Sequence, residues 1–198
     1  MGAIFQSLGR TITAGVVLLV VLLIIVALAG GSIPLATHDW WAFAMRWLHV
    51  MSGVMWIGLL WYFNFVQTPS MPKIPDEQKP AIGKVIAPAA LFWFRWSAMA
   101  TIILGLILAG MNNYLGDALM LKRPIGIGMW LGIIMWFNVW FLIWPNQKKV
   151  LGIVAAEPDA KAKAGRIAGL ASRFNTMASI PMLYFMVAQQ HGGVVFGG

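Results

Sequence analysis

Cysteine is absent from this 198-residue chain. Its absence excludes disulfides, thiolate metal sites, iron–sulfur ligation and a Cys-x-x-Cys-His haem attachment within these residues. Charge is also scarce, since 10% of the residues are charged, compared with roughly 25% in soluble domains. Because 60% of the residues are hydrophobic, the composition predicts an integral membrane protein of the all-α class.

Acidic residues are few, and none lies in a predicted membrane span. This argues against a proton pump or a cation transporter, which need intramembrane carboxylates. Phosphate loops, nucleotide fingerprints and zinc motifs are missing as well. The net charge of +8 would suit nucleic acid, but membrane proteins also concentrate Lys and Arg in their cytoplasmic loops. We therefore expect the lipid bilayer as a partner and no nucleic acid.

Five apolar segments approach or exceed the ~20 residues that a helix needs to cross a bilayer. They cover about 12–29, 47–66, 88–111, 125–144 and 170–189. The first resembles a signal peptide that follows Arg10, but its apolar core is longer than the usual 7–15 residues of a signal peptide, so we expect it to be retained. The sequence thus predicts a single membrane domain, 1–198, with five transmembrane helices.

An internal repeat organises the last four spans. Residues 55–64 read MWIGLLWYFN and residues 129–138 read MWLGIIMWFN, while residues 95–102 (RWSAMATI) return as residues 173–180 (RFNTMASI). Chance matches in apolar sequence do not pair Gly, Asn and Arg in order. We interpret this as a duplicated helical hairpin, with repeat units of about 47–111 and 125–189. The expected fold is a four-helix core of two parallel hairpins, flanked by one N-terminal helix.

The distribution of Lys and Arg predicts the orientation. Ten basic residues fall on the side of the N-terminus, three on the other side, and Arg95 lies within a span. Cytoplasmic loops carry the excess of Lys and Arg. The N-terminus is therefore expected in the cytoplasm and the C-terminus in the periplasm of a bacterial-type inner membrane.

Three histidines, His38, His49 and His191, lie toward the predicted outer face. His49 and His191 belong to different hairpins, so their helix ends can meet, and two neutral imidazoles are what axial ligation of a haem iron requires. Gly53 would let a porphyrin approach the backbone, and Arg46 could pair with a propionate. Alternatively, His49 bonds a neighbouring helix and His191 is solvated. His38 is placed in a loop before the second span.

A second set of polar residues lies toward the predicted cytoplasmic side. It comprises Asn64, Arg95, Asn138, Arg173 and Asn175. Asn64 is equivalent to Asn138 in the repeat, and Arg95 is equivalent to Arg173. Two interpretations remain open: interhelical hydrogen bonds that fix the packing, or an anion site, because arginines without acids suit a carboxylate.

Residues 47–58 (WLHVMSGVMWIG) and 172–182 (SRFNTMASIPM), followed by His191, resemble the membrane domain of the membrane-bound urate oxidase family. The resemblance covers about residues 40–191. A weaker one links the chain to four-helix membrane haem proteins of the copper-resistance and protoporphyrinogen-oxidase type. Full-length family members add further spans and a cytochrome c domain, which this chain does not contain, so it resembles a short form. The resemblance implies a redox-type membrane bundle with His49 and His191 at its motif positions.

Two functions follow as hypotheses. The first is a membrane electron carrier or oxidoreductase domain that binds haem b through His49 and His191 and exchanges electrons with an external cytochrome c. The second is a cofactor-free accessory subunit of a larger respiratory, photosynthetic or monooxygenase complex. Urate oxidation itself is not expected without a cytochrome c domain as the electron exit.

Overall fold

A computed structural model describes residues 2–194 and 196 of the protein. Throughout this part of the chain the secondary structure is helical, with no β-strand. The chain divides into two compact units, Met1–Phe43 and Ala44–Gly198. The all-helical class is thus confirmed, whereas the single-domain organisation stays a prediction.

Within the described residues, four helices are long and apolar enough to cross a membrane. They are α1 (Leu8–Leu28), α2 (His38–Lys73), α3 (Lys79–Met111) and, after the short α4 (Leu115–Leu119), α5 (Pro124–Val150). The last helix, α6 (Pro158–His191), has 34 residues and contains the predicted fifth span. Charged and polar residues interrupt its apolar positions. Four such helices are typical of a multi-pass membrane protein.

The helices extend beyond the apolar segments from which we predicted them. The α2 helix begins at His38 rather than near residue 47, so the placement of His38 in a loop was wrong. Thr37 provides the reason, since its hydroxyl oxygen accepts a hydrogen bond from the Trp40 backbone N–H at 3.2 Å. This is the geometry of an N-cap. The helix therefore begins in a segment that is too polar to be predicted as part of a membrane span.

Three of the long helices change locally from α to π geometry. The π-helical segments are Tyr62–Gln67 in α2, Ile82–Ile86 in α3 and Asn138–Ile143 in α5. Asn64 lies in the first segment and the equivalent Asn138 begins the third. A π turn holds an extra residue and occurs often at functional sites. Both copies of the repeated decapeptide therefore have π geometry at their final Asn, although the second π segment begins two repeat positions later than the first.

The core of the second unit is built from large apolar side chains of α2, α3, α5 and α6. Its most completely buried members include Trp56, Leu60, Phe94, Met135 and Val139. By contrast, α1 has no buried residue, and long apolar side chains are exposed along it. Exposed apolar surface of this extent suits a lipid environment rather than water.

Close approach of α5 and α6 depends on one glycine. A Cβ added at Gly128 would lie 3.1 Å from both the Met182 carbonyl oxygen and the Met186 backbone nitrogen. Small residues allow such backbone contacts between membrane helices. This contact lies beside the C-terminal half of α6, which carries His191.

Candidate functional site

The second unit contains a cavity of about 680 Å³, which we call the histidine cavity. It is lined by residues of α2, α3, α5 and α6, among them His49, His191, Arg46 and Gly53. Most of its wall is apolar. Its volume falls in the roughly 300–1,000 Å³ range of small-molecule and cofactor pockets. The structure thus brings to one cavity all four residues that the sequence associated with a cofactor.

A hydrogen bond to α3 fixes the His49 imidazole. Its Nδ1 lies 2.8 Å from the backbone carbonyl oxygen of Thr101. Because a carbonyl can only accept, Nδ1 carries the proton and the neutral ring keeps its lone pair on Nε2. This is the contact to a neighbouring helix that we considered as an alternative to metal binding. The hydrogen bond to Thr101 uses only Nδ1. Metal-bound histidines are commonly oriented in this way, by a hydrogen bond from the ring nitrogen that does not bind the metal.

Gly105 provides the space in which the His49 ring lies. A Cβ at position 105 would be 2.8 Å from His49 Cε1 and 3.0 Å from Nδ1, which is closer than carbon and nitrogen atoms pack. Gly105 belongs to a row of small residues on α3, in which Ser97, Thr101 and Ala109 also lie at spacings of four. Those three residues are buried, and Gly105 accommodates a polar ring rather than an apolar one.

His191 is the last residue of α6 and is exposed at the mouth of the histidine cavity. The helix ends there because Gly192 adopts a left-handed conformation with φ of 68°, which favours glycine. The Tyr184 hydroxyl donates to the Gly193 carbonyl oxygen at 2.8 Å. The backbone just after His191 is therefore tied to the preceding turns of the helix.

Two buried N–H groups at the cavity have no hydrogen-bond acceptor among the described residues. They are Arg46 Nε and the indole Nε1 of Trp56, and both residues line the cavity. Buried donors are nearly always satisfied in folded proteins. These two are therefore suited to an acceptor on a bound molecule.

Tyr114 adds a hydroxyl to the same wall. Burial raises the pKa of Tyr114 above its ordinary value, although the positive charges of Arg46 and Arg123 act in the opposite direction. The phenol is therefore protonated at neutral pH and can donate a hydrogen bond. The sequence did not indicate Tyr114, because a single tyrosine between two helices carries no pattern.

Glycines leave parts of the cavity wall without side chains. A Cβ at Gly58 would meet nothing within 4 Å, and one at Gly53 would lie 3.9 Å from Thr101 Cγ2. The latter is an ordinary contact, so Gly53 is not obligatory for packing. A flat ligand could approach the α2 backbone at either position.

The five polar residues that we predicted toward the cytoplasmic side lie in three separate places in the structure. Asn138 donates to Asn175 Oδ1 at 2.8 Å, and Asn175 donates to the Met135 carbonyl oxygen at 2.9 Å. The Arg95 guanidinium lies 3.4 Å from the centre of the Trp144 ring. Asn64 and Arg173 line a second cavity, of about 430 Å³.

The His38 ring is exposed, and its Nδ1 lies 3.5 Å from the Asp39 carboxylate. His38 is not among the residues that line the histidine cavity. Within the described residues, no group of three or more His, Cys, Asp or Glu is placed to hold a metal ion. Of these four residue types, His49 and His191 are the described residues that line the histidine cavity.

Comparison with known proteins supports the resemblance seen in the sequence. The family model described as "Urate oxidase N-terminal" matches residues 123–198. This segment contains α5 and α6 and therefore His191, whereas His49 lies outside it. Comparisons with curated proteins and with solved structures give no match. Residues 123–198 are thus similar to the urate oxidase N-terminal family, and the match does not extend to the preceding residues.

Proposed function

We propose that the chain is a membrane redox protein that binds haem b in the histidine cavity, where His49 and His191 would hold the iron. The observation that carries the proposal is the state of His49. Its Nδ1 is held by the Thr101 carbonyl oxygen at 2.8 Å, so its Nε2 lone pair is left for a metal. His191 lines the same cavity from the end of another helix.

The other groups of the cavity fit a porphyrin with carboxylate side chains. Arg46 has an unpartnered buried Nε and would pair with a propionate. The Tyr114 hydroxyl, protonated at neutral pH, could donate to the same group. Apolar side chains and the glycines of α2 would contact the ring faces. One-electron transfer is the chemistry that a haem supplies when bound.

For the membrane arrangement we propose five spans, with α6 as the fifth, in a bacterial-type inner membrane. The N-terminus would be cytoplasmic and the C-terminus periplasmic, in accord with the excess of Lys and Arg on one side. Helices α2 and α3 would form one hairpin and α5 and α6 the duplicated one. The matched π-helical segments at Asn64 and Asn138 support the duplication. An external cytochrome c is the proposed partner at the periplasmic face.

The visible absorption spectrum of the full chain, purified from its native membrane, tests the proposal. We expect a sharp Soret band and, after reduction with dithionite, resolved α and β bands. A protein without haem in that preparation would contradict the proposal. It would favour the second function, a cofactor-free accessory subunit of a larger membrane complex.

A further inference from the structure

The second cavity, which we call the arginine cavity, lies at the opposite end of the bundle from the histidine cavity. Along α2, the histidine cavity is lined by residues as far as Trp61, and the arginine cavity from Phe63 to Thr68. The arginine cavity is also lined by Arg166 and Arg173 of α6 and by Gln147 of α5. Its wall includes residues of two π-helical segments, which fits a functional site.

The positive charge of the two arginines has no acidic partner among the described residues that line the cavity. The ion pairs seen in this part of the chain involve other residues, and no Asp or Glu lines the arginine cavity. Arg166 and Arg173 are seven residues apart, so they share one face of α6 and are separated by about 10 Å along its axis. Two guanidinium groups facing one space suit an oxyanion such as a phosphate.

Polar groups between the arginines are also incompletely satisfied. Ser172 Oγ accepts a hydrogen bond from Asn64 Nδ2 at 2.8 Å, and its own O–H has no acceptor among the described residues. Gln67 Oε1 is buried without a donor within the same part of the chain. A ligand here would therefore accept from Ser172 and offer a hydroxyl to Gln67.

The rest of the cavity is apolar and open. Phe63, Leu91, Phe94 and Leu170 belong to its wall. A Cβ at Gly169, which lies between the two arginines on α6, would meet nothing within 4 Å. Gln67 and Gln147 lie near the ends of α2 and α5, where these helices would leave the bilayer. The cavity thus combines a charged rim with an apolar wall at the edge of the membrane.

We propose that the arginine cavity is a binding site for the headgroup of an anionic phospholipid, with its phosphate on Arg166 and Arg173 and a headgroup hydroxyl on Gln67. The apolar wall receives the first part of the acyl chains. On the predicted topology this site faces the cytoplasmic leaflet. The two cavities share no lining residue, although the same helices contribute to both. The site is therefore independent of haem binding.

The test measures binding of phosphatidylglycerol to the full chain in detergent by native mass spectrometry, with phosphatidylcholine of the same acyl chains as reference. We expect one saturable phosphatidylglycerol site. The variant Arg166→Gln/Arg173→Gln should weaken it at least tenfold, since it removes both charge-assisted contacts to the phosphate. Gly169→Leu should weaken it similarly by filling the cavity without changing the charge.

The matched control is Lys161→Gln/Lys163→Gln, which removes two positive charges from the same helix outside the cavity. It should change the affinity less than about twofold. Equal losses in the two double variants would overturn the proposal in favour of general surface attraction, as would unchanged binding in both Arg166→Gln/Arg173→Gln and Gly169→Leu. Elution of every variant as the wild type on size exclusion verifies that it is folded.

Inorganic phosphate and glycerol 3-phosphate serve as competitors that distinguish the lipid from its headgroup. Failure of both to displace phosphatidylglycerol at millimolar concentration would support the lipid as the ligand. If inorganic phosphate displaces phosphatidylglycerol when the two are present at equal concentration, the lipid assignment is overturned. A free phosphate would then be the ligand of the two arginines.

Discussion

The imidazole of His49 occupies the space in which residue 105 would place a side chain. A Cβ at Gly105 would come within 2.8 Å of the ring, while the Thr101 carbonyl oxygen, one turn earlier on α3, holds Nδ1 at 2.8 Å. One helix therefore supplies both the space for the ring and the acceptor that orients it. Orientation of this kind is what a histidine ligand requires from its surroundings.

We expect Gly105→Ala to displace the His49 ring and break its hydrogen bond to Thr101. Overpacking of this kind costs about 1–3 kcal/mol. The measurement is haem content per protein together with the ferric spin state from the visible spectrum. The control is Gly110→Ala on the same helix, where a Cβ would meet nothing within 4 Å. Identical spectra for the two variants would show that the ring does not depend on Gly105.

The histidine variants test the ligands directly. His49→Ala should lose the haem or convert it to the high-spin form, because removal of an axial ligand opens a coordination position. His191→Ala should have a similar but weaker effect, since His191 lies exposed at the cavity mouth. His38→Ala should leave the spectrum unchanged, because His38 does not line the cavity. Full low-spin haem in both His49→Ala and His191→Ala would rule out these ligands.

The buried Asn138–Asn175 pair should stabilise the packing of α5 on α6. Asn175 has no exposed surface, and Asn175→Ala would remove the acceptor of the Asn138 side-chain amide and the side-chain donor to the Met135 carbonyl oxygen. We expect a loss of about 1–2 kcal/mol in unfolding free energy, since polar contacts between membrane helices contribute in this range. Unfolding in mixed micelles at increasing dodecyl sulfate measures it.

Asn146, which is half-buried and donates to the Leu142 carbonyl oxygen of its own helix, provides the control for this stability measurement. Asn146→Ala should change the unfolding free energy by less than about 0.5 kcal/mol. An equal loss in the two alanine variants would mean that the interhelical pair contributes nothing specific.

The absence of cysteine makes the topology easy to test. Single substitutions Lys163→Cys and Gly193→Cys introduce one thiol near each end of α6 into an otherwise thiol-free chain. We expect an impermeant maleimide, added to intact cells, to label position 193 and to reach position 163 only after lysis. Labelling of both positions in intact cells would show that α6 does not span the membrane, and the reversed pattern would invert the orientation.

Sequence could predict the helices because long apolar runs with few charges have one stable form in a membrane. It underestimated their length, since α2 and α6 continue into charged sequence where caps such as Thr37 set the boundary. It could also associate His49 with His191, because topology places their helix ends on one side. The π-helical segments have no sequence signature that we could use.

The details of the site were beyond sequence reasoning for a physical reason. The partner of His49 is a backbone carbonyl, and every residue has one, so nothing marked Thr101. The role of Gly105 depends on the rotation and register of α3 against α2. The rotation of each helix about its axis also separates Arg95, which stacks on Trp144, from the Asn138–Asn175 pair. Arg95, Asn138 and Asn175 had nevertheless been predicted at a similar depth in the membrane.

Between the two cavities lies the apolar core, where Leu60 and Met135 have no exposed surface and Phe94 has 1%. A barrier of hydrocarbon has a low dielectric constant, so it opposes the passage of ions and protons. On the proposed topology, each cavity would therefore exchange solutes only with the compartment on its own side. On that topology, a ligand of the arginine cavity would come from one compartment and a ligand of the histidine cavity from the other.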